Sequence, residues 1–174
     1  MKTAKWMIAI FVAGFLACAV DAIAGEEEDI LRRQIEINEQ LLTTRPKDAN
    51  LYFTLGTDHY TLAKHLKERG SWFWQTNKKI QDSEEADRLY DMSAQYLSEA
   101  VRLNPGNAAA HFNLAVNYFL KQQKEAALYH MARADRLFLQ AGNTDGLEKS
   151  KKALKQWYDA YDYHPGDFDV ALQP

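Results

Sequence analysis

A chain of 174 residues with a net charge of −3 and no basic block is a poor nucleic-acid binder, and it has room for one modest domain plus a short targeting segment. Its 4 Trp, 9 Tyr and 8 Phe can build a core, while only 4 Pro and 8 Gly leave almost nothing that reads as low complexity. Alternating runs of β-branched residues are missing, which argues against a sheet.

The first 24 residues stand apart from the rest. Lys2 and Lys5 give a basic start, and Trp6 to Val20 is an apolar run of about fifteen residues, short for a membrane span of ~20. Ala22-Ile23-Ala24 ahead of Gly25 makes an A-x-A cleavage site, so residues 1–24 read as a secretory signal peptide cut after Ala24. Two other readings stay open. One is a lipoprotein anchor at Cys18, because Leu16-Ala17-Cys18 partly resembles a lipobox, although Phe15 replaces the usual Leu and no polar tether follows. The other is a retained membrane anchor. Cleavage removes the only Cys, and with it any disulfide, thiol nucleophile or haem attachment. It also removes Lys2, Lys5 and Asp21, taking the net charge from −3 to −4. Export places the domain in the periplasm or outside the cell.

The mature chain reads as helices throughout. Glu26-Glu27-Glu28-Asp29 opens the first, where acids suit the positive end of the helix dipole. Ile30, Leu31, Ile35, Ile37, Leu41 and Leu42 then recur at helical spacing, and are expected to form one broad face. Thr43-Thr44-Arg45-Pro46 stops this helix, because proline disfavours helical geometry in the residue before it. After the turn Pro46 to Asn50 comes Tyr52, then Leu55-Gly56, then His59. Thr61 to Arg69 continues helically, with Leu62, Ala63 and Leu66 on one face. Gly70 breaks it, and Ser71-Trp72-Phe73-Trp74-Gln75-Thr76-Asn77 reads as a loop. Asp82-Ser83-Glu84-Glu85 resembles a capping start for a helix running to about Leu103. Ser93, Leu97, Ala100 and Leu103 are its packing positions, closed by Asn104-Pro105-Gly106.

The front half then recurs 59 residues on, as His111, Leu114-Ala115 and Tyr118, followed by Ala127, Met131 and Ala134. Ala141-Gly142-Asn143 ends that unit. A last helix from about Thr144 to Tyr163 carries Leu147, Leu154, Trp157, Tyr158 and Tyr161 as its apolar stripe, with Lys149, Lys151, Lys152 and Lys155 mostly outward. His164-Pro165-Gly166 stops it, leaving residues 165–174 as a short, mobile acidic tail.

This size pattern resembles the tetratricopeptide repeat (TPR) family in an exported bacterial member, with His and Ala where Trp and Gly are more usual. The resemblance covers about Pro46 to Leu139. It implies an all-α fold: a short α-solenoid of antiparallel helix pairs, about two repeats plus flanking helices. The helical domain spans 25–164, with a standard repeat at 107–141 and a capping helix at 144–163. Pro46 and Pro105 lie 59 residues apart, against 34 in a standard repeat, so 25 residues are extra. They enlarge the first repeat into a long helical hairpin, with residues 61–92 as the extension.

Chemistry finds no foothold. His59 and His111 fall on repeat positions where a large ring packs between helices. Asp58, Asp91 and His65 lack the spacing of a metal site, and no nucleophile elbow, phosphate loop or carboxylate pair is present. No catalytic, cofactor-binding or metal residue is expected, and the chain is read as a non-enzyme.

The resemblance instead implies a concave face lined by the first helix of each repeat. Its places fall at Phe53, Thr57 and Tyr60, and again at Phe112, Val116 and Phe119. Family members that clamp C-terminal carboxylates carry Lys and Asn at two of the first-repeat places, where this chain has Phe53 and Thr57, so that mode is not expected. An aromatic groove suits an amphipathic helix or an extended apolar segment of a protein partner. Alternatively, the first helix or the C-terminal helix fills it from within. Trp72, Phe73 and Trp74 either pin the hairpin or form a partner or membrane-interface contact. The function implied is an exported interaction scaffold or assembly factor for an envelope or respiratory complex. Its rivals are a subunit that self-associates into a homo-oligomer or links copies of a larger enzyme complex, and an unrecognised enzyme.

Overall fold

The computed structural model describes residues 26–68 and 76–161, and the described chain is helices joined by short turns. We number them α1 (residues 26–44), α2 (Ala49–Glu68), α3 (Thr76–Leu103), α4 (Ala108–Leu120), α5 (Lys124–Gln140) and α6 (Thr144–Tyr161). Helix α2 packs on α3 and α4 on α5, while α3–α4 and α5–α6 contacts join the pairs into one stack. The fold is therefore all-α, a helical-repeat array of antiparallel pairs. Residues 1–25, the Trp72-Phe73-Trp74 stretch and the 165–174 tail lie outside the described residues.

Each repeat begins with the same device. The Asp48 carboxylate accepts from the Asn50 and Leu51 amides, the Asn107 side chain from Ala110, and that of Asn143 from Gly146. Such Asx caps satisfy backbone donors that the first helical turn leaves unpaired. Helix α4 ends on Gln122 at φ 58° and α5 on Gly142 at φ 66°. In both, an amide reaches back to the carbonyl five residues earlier, Gln123 to Tyr118 and Asn143 to Phe138, each at 2.9 Å. This left-handed termination suits glycine, so Gln122 holds a conformation that L side chains adopt at a cost.

The enlarged first pair is long in both helices. Helix α2 has 20 residues against 13 in α4, and α3 has 28 against 17 in α5. At 1.5 Å per residue the excess is ~10 Å and ~16 Å. Two expectations are corrected here. Helix α3 starts at Thr76, inside the stretch read as a loop and ahead of the expected cap at Asp82. No Gly or Pro interrupts residues 76–82, and the acidic cluster serves side-to-side contacts instead of a cap. Ser83 accepts from Lys67 across the hairpin (3.1 Å), and Glu85 pairs with Arg32 of α1 (2.8 Å). Nor does α1 have one broad apolar face. Ile35 is buried with Leu31 and Leu42 packed beside it, whereas Ile30, Ile37 and Leu41 are 55%, 57% and 37% exposed. The second set lies about 120° around the helix from the first, and among the described residues α1 has neighbours on one side only.

Packing is tightest at Gly56. A Cβ placed there would sit 2.5 Å from Leu97 Cγ and 3.1 Å from the Leu97 backbone nitrogen, so α2 and α3 approach closely only because position 56 has no side chain. Ser93, fully buried, donates to the Gly56 carbonyl (2.6 Å) and accepts from Asn117 of α4 (3.1 Å), tying three helices through one hydroxyl.

Gly56→Ala gains about 1 kcal/mol of helix propensity but overpacks by about 1–3, so a net destabilisation of up to about 2 kcal/mol is expected in urea unfolding. Leu97→Ala should cost less in that background than in the wild type, because the two sites share one space. Gln122→Gly acts in the opposite direction. It should stabilise by several tenths to about 1 kcal/mol, read from the same transition, and no gain would mean that the turn carries no strain.

Candidate functional site

The six places expected on the inner face occupy equivalent positions in α2 and α4, offset by 59 residues, and all six are half-buried. Phe53 packs against Ala94, Leu97 and Leu114, bridging the two repeats. Thr57 accepts from Asn113 of α4 at 3.2 Å while its own hydroxyl donates to the Phe53 carbonyl. Tyr60 meets Tyr90 of α3 edge to face at 5.6 Å. Burial pushes the Tyr90 hydroxyl up to about 12, so Tyr90 stays neutral at ordinary pH. Helix α1 lies against Leu55, Leu62 and Leu66, a different stripe of α2 from these three places.

The second half of the face is treated differently. Phe112 meets Phe138 edge to face at 6.4 Å, and Phe112, Val116 and Phe119 pack on the Ala115–Met131–Trp157 cluster. Trp157 stacks on Phe119 with centroids 4.4 Å apart and planes 11° from parallel, and Tyr161 follows at 5.5 Å. The C-terminal helix therefore covers the Phe119 end. Lys124 adds a cation–π contact over Tyr161 at 5.1 Å, and Ser150 fastens α6 to α5 through Asp135. The face at Phe53, Thr57 and Tyr60 is not roofed by that helix cluster.

Two further features were not read from the sequence. The first is an open groove of about 760 Å³ between α3 and α4, with Asp91, Gln95, Ser98, Glu99 and Arg102 on one wall and Tyr118 and Lys121 on the other. Ion pairs Asp91–Lys121 and Glu99–Arg102 line it. Its walls are 16 or more positions apart in sequence, so no local motif announces it. The second is a histidine pair between α4 and α5. His111 Nε2 donates to the Pro105 carbonyl (3.2 Å), which leaves its Nδ1 to accept from His130 Nδ1 at 2.9 Å. Tyr118 and Tyr129 flank the His130 ring. Burial holds His111 below the usual imidazole range, and burial followed by the His111 charge lowers His130 to about 4.

His59 is 1% exposed and donates to the Leu55 carbonyl at 2.8 Å, a packed ring tilted over Tyr96. Asp58, Asp91 and His65 do not converge: Asp58 accepts from Asn38, Asp91 pairs with Lys121, and His65 faces Glu27. Among the described residues, no group of three or more His, Cys, Asp or Glu is gathered to hold a metal. None of the described helices is long and apolar enough to cross a membrane.

The histidine pair makes stability pH-dependent. A lowered folded-state pKa means the unfolded chain protonates first on acidification, so the pair's contribution is complete above about 6.5 and is lost progressively as pH falls towards about 4. The expected loss is on the order of 2 kcal/mol between pH 6.5 and 4. His130→Gln, which keeps a donor for His111 without a titrating ring, should flatten that part of the stability profile. An NMR titration placing His130 near 6.5 would refute the pairing.

Compared with protein-family models and with curated proteins, the chain matches none of them.

Proposed function

We propose that this chain is a TPR-type interaction scaffold that captures an apolar or amphipathic segment of a protein partner on the concave face formed by α2 and α4. The observation that carries this reading is the aromatic lining itself. Phe53, Tyr60 and Phe112 are half-buried, held by ring and core contacts from behind, and bridged across the repeats by the Asn113–Thr57 hydrogen bond. Rings anchored in this way are preorganised, so a partner pays little ordering entropy on docking. Trp157 and Tyr161 close the Phe119 end, which confines the proposed contact to the α2 side and to Phe112 and Val116.

Two features of the reading rest on residues outside the described helices. Trp72, Phe73 and Trp74 are a second contact at the hairpin tip, for a partner or for a membrane interface. The N-terminal segment exports the domain to the periplasm. The partner on this reading belongs to an envelope or respiratory complex that the scaffold helps to assemble.

Isolation of the tagged full chain from its native host tests the reading when variants are run beside it. Phe112→Glu and Thr57→Arg should each lower recovery of the partner by about tenfold or more, with thermal melts confirming a folded protein. Trp72→Ala/Trp74→Ala should reduce it further. Undiminished recovery with both inner-face variants would refute capture on this face.

A further inference from the structure

The two ends of the array are finished differently. At the C-terminal end, α6 buries Trp157 and turns Lys149, Lys151, Lys152 and Lys155 to solvent, the polar outer face that a terminal unit of a solenoid needs. At the N-terminal end, α1 buries Ile35 against α2 and α3 but leaves Ile30, Ile37 and Leu41 uncovered. With Gln34 and Thr44 they follow a four–three–four–three spacing, the seam of a two-helix contact. These three are half of the large hydrophobic side chains exposed among the described residues; the others, Leu120, Tyr129 and Leu139, sit on α4 and α5.

Charge along α1 decides what fits. Glu26, Glu27 and Asp29 crowd its N-terminal end, while Arg45 and Lys47 follow its C-terminal end. A parallel copy would set acids against acids and bases against bases. An antiparallel copy with Ile30 opposite the partner's Leu41 also sets Ile37 opposite Gln34 and Glu26 opposite Arg45, twice over by symmetry. The helix dipoles are then antiparallel as well.

We propose that a second copy of this chain docks antiparallel on the outer face of α1, forming a two-fold dimer through Ile30, Ile37 and Leu41. Helix α1 is ~28 Å long, and one face of it covers a few hundred Å², below the ~800 Å² per partner of a standard stable interface. The dimer is accordingly weak and concentration-dependent. The proposal is independent of partner capture on the α2–α4 face.

Two differently tagged full-length copies, produced together and chemically cross-linked before capture, test it. Co-recovery of the second tag with the first is expected for the wild type. Ile37→Glu, at a position already 57% exposed and so harmless to the fold, should lower co-recovery at least tenfold without changing the thermal melt. Arg45→Glu/Lys47→Glu on one copy should weaken pairing with a wild-type partner, and Glu26→Lys/Glu27→Lys on the other copy should restore it. Wild-type copies that fail to co-purify would overturn the proposal, as would co-recovery that survives Ile37→Glu; the latter would assign association to another surface, such as residues 1–25. Ile37→Glu that still recovers the inner-face partner separates this failure from failure of the scaffold reading.

Discussion

The missing Cβ at Gly56 governs the geometry of the array. It lets α2 and α3 approach until Leu97 lies over the α2 backbone, and it exposes a helix carbonyl to the Ser93 hydroxyl. Ser93 in turn accepts from Asn117, so the register of the first pair is passed to α4 by a chain of buried hydrogen bonds. Burying these groups carries a cost, since the Asn117 side-chain carbonyl has no hydrogen-bond partner among the described residues. What the network supplies is a single allowed offset between repeats. Phe53 and Phe112 belong to different repeats, and their relative placement depends on that offset.

Around this fixed middle the two repeats diverge. The first is long, and in it burial raises the Tyr90 and Tyr96 hydroxyls to about 12, the latter helped by its hydrogen bond to Glu39. The second is short and is closed on both sides. Its inner end is capped by the Trp157 stack, and its α4–α5 seam by a histidine pair whose protonation burial disfavours. The array thus combines an aromatic face at its centre, a polar lysine-bearing cap at one end and an apolar stripe at the other.

Much of this was legible in the sequence, and the reasons differ by element. The turn at Pro46 to Asn50 and the stops at Asn104-Pro105-Gly106 and Ala141-Gly142-Asn143 are local chemistry, so the start of α2 and the ends of α3 and α5 follow from a few adjacent residues. The offset of 59 residues put Phe53, Thr57 and Tyr60 in register with Phe112, Val116 and Phe119 without any structure. The start of α3 was misread because an acidic cluster imitates a helix cap, and only the partners of Ser83 and Glu85 show where those side chains are used. The apolar residues of α1 were grouped as one face because periodicity counts how many recur, not how many a neighbour can cover.

That the chain is helical, that its helices come in repeated pairs, and many of the residues each pair buries can be read from local sequence, since propensity and period act over a few residues. Tertiary structure alone decided what lies on top of those pairs. Trp157 on Phe119, His130 on His111 and the α3–α4 groove join positions far apart in the chain, and the bare stripe of α1 is bare because of where its neighbours stop. Their proximity depends on how helices stack at Gly56 and at the two ends of the array, and a contact between distant helices leaves no periodic trace in either one.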